Sequence, residues 1–268
     1  MRIGFLSPLL VVVLSSCAAP QEAPKDLNGL ARFFFNQFKP AEGEDPATSD
    51  IELQDAIGKV HKVLKGDELS SDEPMSGTLE NLTQEEVDTA GLDVKPSKGQ
   101  GMFIANIIHC SLSEMKDIIL EPDQLELYPE AYAEYARDFD KDPPAYLPTW
   151  TVTYKSSENA LVSNQFTASV ETGLRTVPET EDAAHGDALV RAGFLPEPAE
   201  FESDGSEFSF DFQVETYHER KKGEIVHFYA MWRYMRLGIL GDSYDEVFID
   251  QTTQGMIDWD TKTDELCE

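Results

Sequence analysis

Positive charge is scarce in this chain. Twenty-one lysines and arginines stand against 51 aspartates and glutamates, a formal net charge of −30 over 268 residues. Nucleic-acid binding depends on neutralising phosphates with Lys and Arg, so the composition argues against a nucleic-acid partner, and it disfavours electrostatic docking on anionic headgroups. Long apolar runs are missing as well. The stretch 6–14 is apolar except for Ser7 and Pro8, yet it is far shorter than the ~20 residues that span a bilayer. Cysteine is limited to positions 17, 110 and 267. G-x-S-x-G, the P-loop, G-x-G-x-x-G and H-E-x-x-H do not occur, so no catalytic motif, metal motif or cofactor is read from the sequence.

What the chain does have begins at its first residues. Arg2 precedes the apolar stretch and small residues follow it, the order of a secretory signal. Leu14-Ser15-Ser16-Cys17 resembles the lipobox of bacterial lipoprotein signal peptides, in which cleavage just before a diacylglycerol-bearing cysteine leaves that cysteine acylated. The resemblance implies lipidation at Cys17 and a protein held at a membrane, since two or more acyl chains anchor stably. Ala18 and Ala19 follow, where an Asp would favour the inner membrane; the expectation is the outer membrane of a bacterial envelope. If Cys17 carries lipid, Cys110 and Cys267 remain as a pair in an oxidising compartment, and they are expected to form a disulfide. The boundaries read as leader 1–16, tether 17–26, helical segment 27–95 and sheet domain 96–268.

The helical segment shows three amphipathic stretches. Leu27, Leu30, Ala31, Phe34 and Phe38 keep helical spacing after Asp26, and Leu53, Ile57, Val60 and Leu64 do so after a capping-box pattern at Ser49–Glu52. Thr83–Glu86 is a second capping box, with Leu82 and Val87 placed for a hydrophobic staple and Gly91 for the C-cap. A polar loop is expected across 66–77. MFIANIIHC, 102–110, reads as a buried strand, and Ser111–Glu114 caps a helix after it. Tyr128, Tyr132 and Tyr135 stand at i, i+4 and i+7, which predicts a further helix after Pro129. Alternation around Ser156–Asn159 predicts a hairpin; 176–206 reads as a long loop. In FSFDFQVETYHERKKGEIVHFYAMWRYM a glycine turn at Gly223 pairs Val214 with Ala230, Phe212 with Trp232, Phe210 with Tyr234 and Asp211 with Arg233. YDEVFID is expected as one more strand, followed by a short tail. The class is α+β: N-terminal helices packed on an antiparallel sheet.

The order strand–helix–helix–strands over 101–259 resembles START-like helix-grip domains. The resemblance implies an apolar cavity for lipids or other hydrophobic ligands. It departs at the C-terminus, where the family has a long gripping helix and this chain reads DTKTDELCE; the N-terminal helices are then expected to serve as the lid. Tyr229, Met231 and Met235, on the odd face of the strands, are the candidate pocket residues.

Other chemistry is sparse. The hairpin register sends His218 and His227 to opposite faces, so they cannot share a metal, and His109 stands alone. Asp138-Phe139-Asp140-Lys141-Asp142 opens like a calcium loop but has Pro143 and Thr149 where Gly and Glu belong. Asp258, Asp260 and Asp264 are interrupted by Lys262. The sequence favours a non-enzymatic, membrane-anchored envelope lipoprotein that binds a protein partner or organises the surface. A carrier or sensor of an apolar small ligand is the alternative, and an enzyme the third reading. A filled core, a deep apolar pocket and converging ionisable groups, respectively, would tell them apart.

Overall fold

The computed structural model describes residues 20–40, 45–71, 73–89, 94–157, 165–181, 185–202, 205–237 and 246–267. Cys17, Gly91 and the tip of the hairpin after Ser157 lie outside the described residues.

One antiparallel sheet of nine strands organises the described residues. The strands are β1 (Met75–Leu79), β2 (Gln100–Ile108), β3 (Tyr132–Phe139), β4 (Thr149–Ser156), β5 (Phe166–Val177), β6 (Ala188–Phe194), β7 (Glu200–Phe201), β8 (Ser206–Lys221) and β9 (Glu224–Leu237). They run in the order β1-β2-β9-β8-β6-β5-β4-β3, with β7 on β5. Helices α1 (Leu27–Gln37), α2 (Pro46–Leu64) and α3 (Gln84–Thr89) precede the β2 strand, α4 (Leu112–Leu120) and α5 (Gln124–Leu127) follow it, and α6 (Glu246–Leu266) closes the chain. The class is α+β. Among the described residues no helix is long and apolar enough to cross a membrane.

The long hairpin β8–β9 sets the two faces of the sheet. Its register pairs Phe210, Asp211, Phe212 and Val214 with Tyr234, Arg233, Trp232 and Ala230, as the turn and alternation predict. Gly223 takes the left-handed conformation (φ 76°) that the turn requires. Even-numbered residues Phe210, Phe212, Val214, Phe228 and Trp232 pack with Leu30, Phe34, Leu53, Ile57 and Val60 of α1 and α2 in the main core. The odd-numbered residues face the other way, towards α4 and α6.

Arg175 of β5 ties the N-terminal helices to the sheet. It is fully buried, donates to Asp50 Oδ1 (2.6 Å), Ser49 Oγ (3.0 Å) and Pro46 O (3.1 Å), and reaches the last carbonyls of α1, Gln37 and Phe38, both at 3.2 Å. Ser49 therefore does not cap α2. The helix begins three residues earlier, at Pro46, capped by Asp45; a proline at the first helical position costs no hydrogen bond and presets φ. The other two capping boxes form as predicted, at Thr83–Glu86 and Ser111–Glu114.

Five more expectations are corrected. The tyrosine-rich stretch is strand β3. A bulge between Tyr132 and Glu134 lets Tyr132 and Tyr135 share a face, with rings 4.9 Å apart, so their spacing imitates a helix. The segment 176–206 is not simply a loop, for it holds β6 in the middle of the sheet. The loop 66–77 runs into β1, an edge strand on β2. The expected last strand and tail are the 21-residue helix α6. Its inward positions include Thr253, Asp260 and Thr263 beside Phe248 and Met256, so a polar face hides the apolar periodicity on which a helix assignment relies. This helix, and not the N-terminal pair, lies over the odd face.

Candidate functional site

Between the odd face of the sheet and α6 lies a cavity of about 450 Å³. Tyr229, Met231 and Met235, the three residues predicted to face a pocket, are in its wall. Phe166, Phe248, Met256, Met115 and Ile119 add apolar surface from β5, α6 and α4, and Tyr132, Tyr135 and Tyr154 close the β3–β4 side. Trp259 stacks on Tyr128 at 3.7 Å, and the Tyr128 hydroxyl bonds to Thr263 of α6 at 2.8 Å. Burial pushes the Tyr128 pKa up to about 12, so this phenol stays neutral and serves as a fixed strut. Gln251 and Gly255 on α6, with Glu130 and Ala131 before β3, are the exposed members of the lining and mark where the cavity opens.

The cavity is not purely apolar. Alternation along β8 and β9 delivers Gln213, Glu215, Tyr217, His227 and Arg233 to the same wall. Arg191 of β6 donates to Glu215 at 3.1 Å, the Tyr217 hydroxyl donates to the same carboxylate, and Tyr229 donates to Gln213 at 2.8 Å. Burial disfavours charge on Arg191, but Glu215 outweighs it and the guanidinium pKa moves up. His227 Nδ1–H donates to Asp260 Oδ1 of α6 at 2.9 Å. Its Nε2 faces Glu215 at 3.9 Å and makes no hydrogen bond, as does Asp260 Oδ2. Burial alone would lower the His227 pKa; the charge and hydrogen bond of Asp260, with Glu215 behind them, raise it above its ordinary value. Beyond this group, Arg233 pairs with fully buried Asp211 at 2.8 Å, as the register predicts.

Such a wall can hold a molecule with an apolar body and a polar end. Buried donors and acceptors without partners are costly, and His227 Nε2 and Asp260 Oδ2 are two such atoms in residues of this wall. Sequence reasoning did not single out Arg191, Glu215 or Tyr217, and it weighed Asp260 only as part of an acidic cluster with Asp258 and Asp264. The hairpin register already placed Glu215 and Tyr217 beside Tyr229 and His227, and that signal was readable. Arg191 and Asp260 sat in segments read as a loop and a tail.

The remaining candidates disperse. Cys110 and Cys267 are bonded, with Cα atoms 5.2 Å apart, and fasten the end of α6 to the start of α4. His109 pairs with Asp264 of α6 at 3.1 Å. Asp258 accepts from Gln254 while Asp260 turns inward, so Asp258, Asp260 and Asp264 do not converge. Asp140 accepts from Thr149. His218 and His227 lie on opposite faces, as the register requires.

No protein-family model matches the chain, and no curated protein does. Similar solved structures include a STAR-related lipid transfer protein fragment from Xanthomonas axonopodis, at 12% identity and a TM-score of 0.39 over 66% of this chain and 90% of that one. Human StAR-related lipid transfer protein 5 is similar at 10% identity and a TM-score of 0.43, over 81% and 96%. Norcoclaurine synthase from Thalictrum flavum, in complex with dopamine and hydroxybenzaldehyde, is similar at 9% and 0.35, over 63% and 86%.

Proposed function

We propose that this chain is a carrier or sensor of a small amphipathic ligand, held between the sheet and α6, and that Cys17 tethers it to an envelope membrane through lipid. One observation carries the ligand reading: a cavity of about 450 Å³ whose aromatic and methionine wall surrounds two buried polar atoms without partners, His227 Nε2 and Asp260 Oδ2. The volume falls in the range of small-molecule sites, as does the pattern of an apolar lining with few polar groups. A purely structural or partner-docking role has no use for such a space. The tether rests on the lipobox resemblance alone.

Gly255 supplies the test. It lines the cavity at its mouth, and a Cβ there would meet no atom within 4 Å. Gly255→Trp would obstruct the entrance while replacing a helix glycine, a change that by propensity favours the helix by a few tenths of a kcal/mol. The wild-type chain is expected to bind a fluorescent fatty acid saturably and the variant to lose that binding with its thermal midpoint unchanged or raised. Absence of saturable binding in the wild type, together with no small molecule released from protein extracted from its native membrane, would overturn the reading.

A second reading is favoured by His227 itself. An imidazole in a cavity wall, with Nδ1 held by a carboxylate and Nε2 unpartnered, has the arrangement of a general acid–base. Under that reading a bound ligand would be turned over, and His227→Gln would abolish the turnover.

A further inference from the structure

On the face of the sheet opposite the cavity, three histidines from three separate elements meet. His61 comes from the last turn of α2, His185 from the segment before β6, and His218 from β8. One nitrogen from each ring lies within 4.8 Å of the others. His61 Nδ1 and His218 Nε2 are 3.0 Å apart, and the ring centroids stand 4.3, 4.7 and 5.2 Å from one another.

The cluster is built into the fold. His218 is fully buried near the end of β8, beside the hairpin turn. α2 ends on Lys65 in the left-handed conformation (φ 52°), whose backbone N–H returns to the His61 carbonyl, and the chain then passes under the His61 ring at Gly66. A Cβ at Gly66 would overlap that ring, so only glycine leaves the imidazole where it is. Arg220 holds the Gly66 carbonyl at 2.9 Å, with its own charge matched by Glu224 at 2.7 Å. The carboxylate of Asp67 stands 3.5 Å from His61 Nε2, on the side of the ring away from the cluster, where metal-bound histidines commonly have an orienting partner.

A hydrogen bond between two neutral imidazoles explains only one of the three approaches. It leaves the approach of the third ring, His185, to both of the others unaccounted for. Burial, with the neighbouring imidazoles, lowers the pKa of both His218 and His185, which keeps those rings in the neutral form that binds metal.

We propose that His61, His185 and His218 form a three-histidine site for a borderline divalent transition metal of the zinc type. Imidazole ligands suit Zn²⁺ and its neighbours far better than Ca²⁺ or Mg²⁺. Zn–N bonds of about 2.0–2.1 Å place tetrahedral ligand nitrogens roughly 3.3 Å apart, so the His61–His218 pair already stands near ligand spacing. The third ring, within 4.8 Å of the pair, closes on it by a shift of at most about 1.5 Å. The fourth position is left for water. Bound there, the ion would join α2, the segment before β6 and the central hairpin, on the face away from the ligand cavity. The site is independent of the cavity's function.

The experiment uses the untagged full chain, stripped with a chelator and titrated with Co²⁺ and then Zn²⁺. One equivalent of Co²⁺ is expected to give visible d–d bands that Zn²⁺ displaces, and Zn²⁺ to raise the thermal midpoint reversibly. His185→Ala, at a partly exposed position, should lose the saturable signal while the metal-free variant keeps the wild-type fold. His109→Ala, a histidine outside the cluster, should keep the signal. No saturable binding by the wild-type chain, or binding that survives His185→Ala, would overturn the proposal; in a chain this acidic, the latter would be diffuse carboxylate binding.

Discussion

His227 of β9 donates from Nδ1 to Asp260 of α6 at 2.9 Å, with both side chains buried almost completely. This pair keys the last helix to the sheet at the inner end of the cavity. Because the His227 pKa is raised in the fold, its contribution is complete below the ordinary value of about 6.5 and is lost as pH climbs through the raised one. Asp260→Asn removes the main stabilising charge. The histidine's titration, followed by NMR, should move to lower pH. Breaking a buried pair costs ~3 kcal/mol or more, and the deficit against wild type in denaturant unfolding should be larger at pH 5.5 than at pH 8. An equal deficit at both would show that His227 is neutral in the native protein.

The Cys110–Cys267 bond spans 157 residues. Closing so long a loop restricts the unfolded chain strongly, and loss of a native disulfide typically costs about 2–5 kcal/mol. A Cys110→Ser, Cys267→Ser double variant should unfold at correspondingly lower denaturant. Because the bond holds the end of the lid, its affinity for the fluorescent fatty acid should fall as well. Unchanged stability would mean that α6 is held by packing alone.

Arg175 carries the docking of α1 and α2. Arg175→Leu leaves Asp50 without its partner and takes one donor from each of the carbonyls of Pro46, Gln37 and Phe38. The expected loss is ~3 kcal/mol or more, measured by urea unfolding. Asp50→Asn should cost less, since it retains a polar partner and Asp50 is not fully buried.

Cys17 can be checked by intact mass without reduction. Protein extracted from membranes should begin at residue 17, carry two or three acyl chains, and lack two protons at Cys110 and Cys267. Cys17→Ala should be recovered unacylated in the soluble fraction. An unacylated wild-type chain would remove the tether and leave the cavity reading untouched.

Where one face of an element is wholly apolar, the sequence was sufficient. The stripes of α1 and α2, two capping boxes, strand β2 and the register of the β8–β9 hairpin all follow from local spacing, because a one-residue slip would turn Phe210, Phe212 and Trp232 away from the core. The odd face of that hairpin follows from the same arithmetic, and with it Tyr229, Met231 and Met235. Tertiary structure decided the rest. α6 turns Thr253, Asp260 and Thr263 inward, and a helix face that is partly polar carries a weakened hydrophobic period. β6 is a short strand with Arg191 at its centre, and only its neighbours on both sides make it part of the sheet. The polar end of the cavity draws on β6, β8, β9 and α6, and the histidine cluster on residues as far apart as 61 and 218. No local pattern encodes contacts at such separations; they exist because packing the two faces of one sheet brings those side chains to the same place.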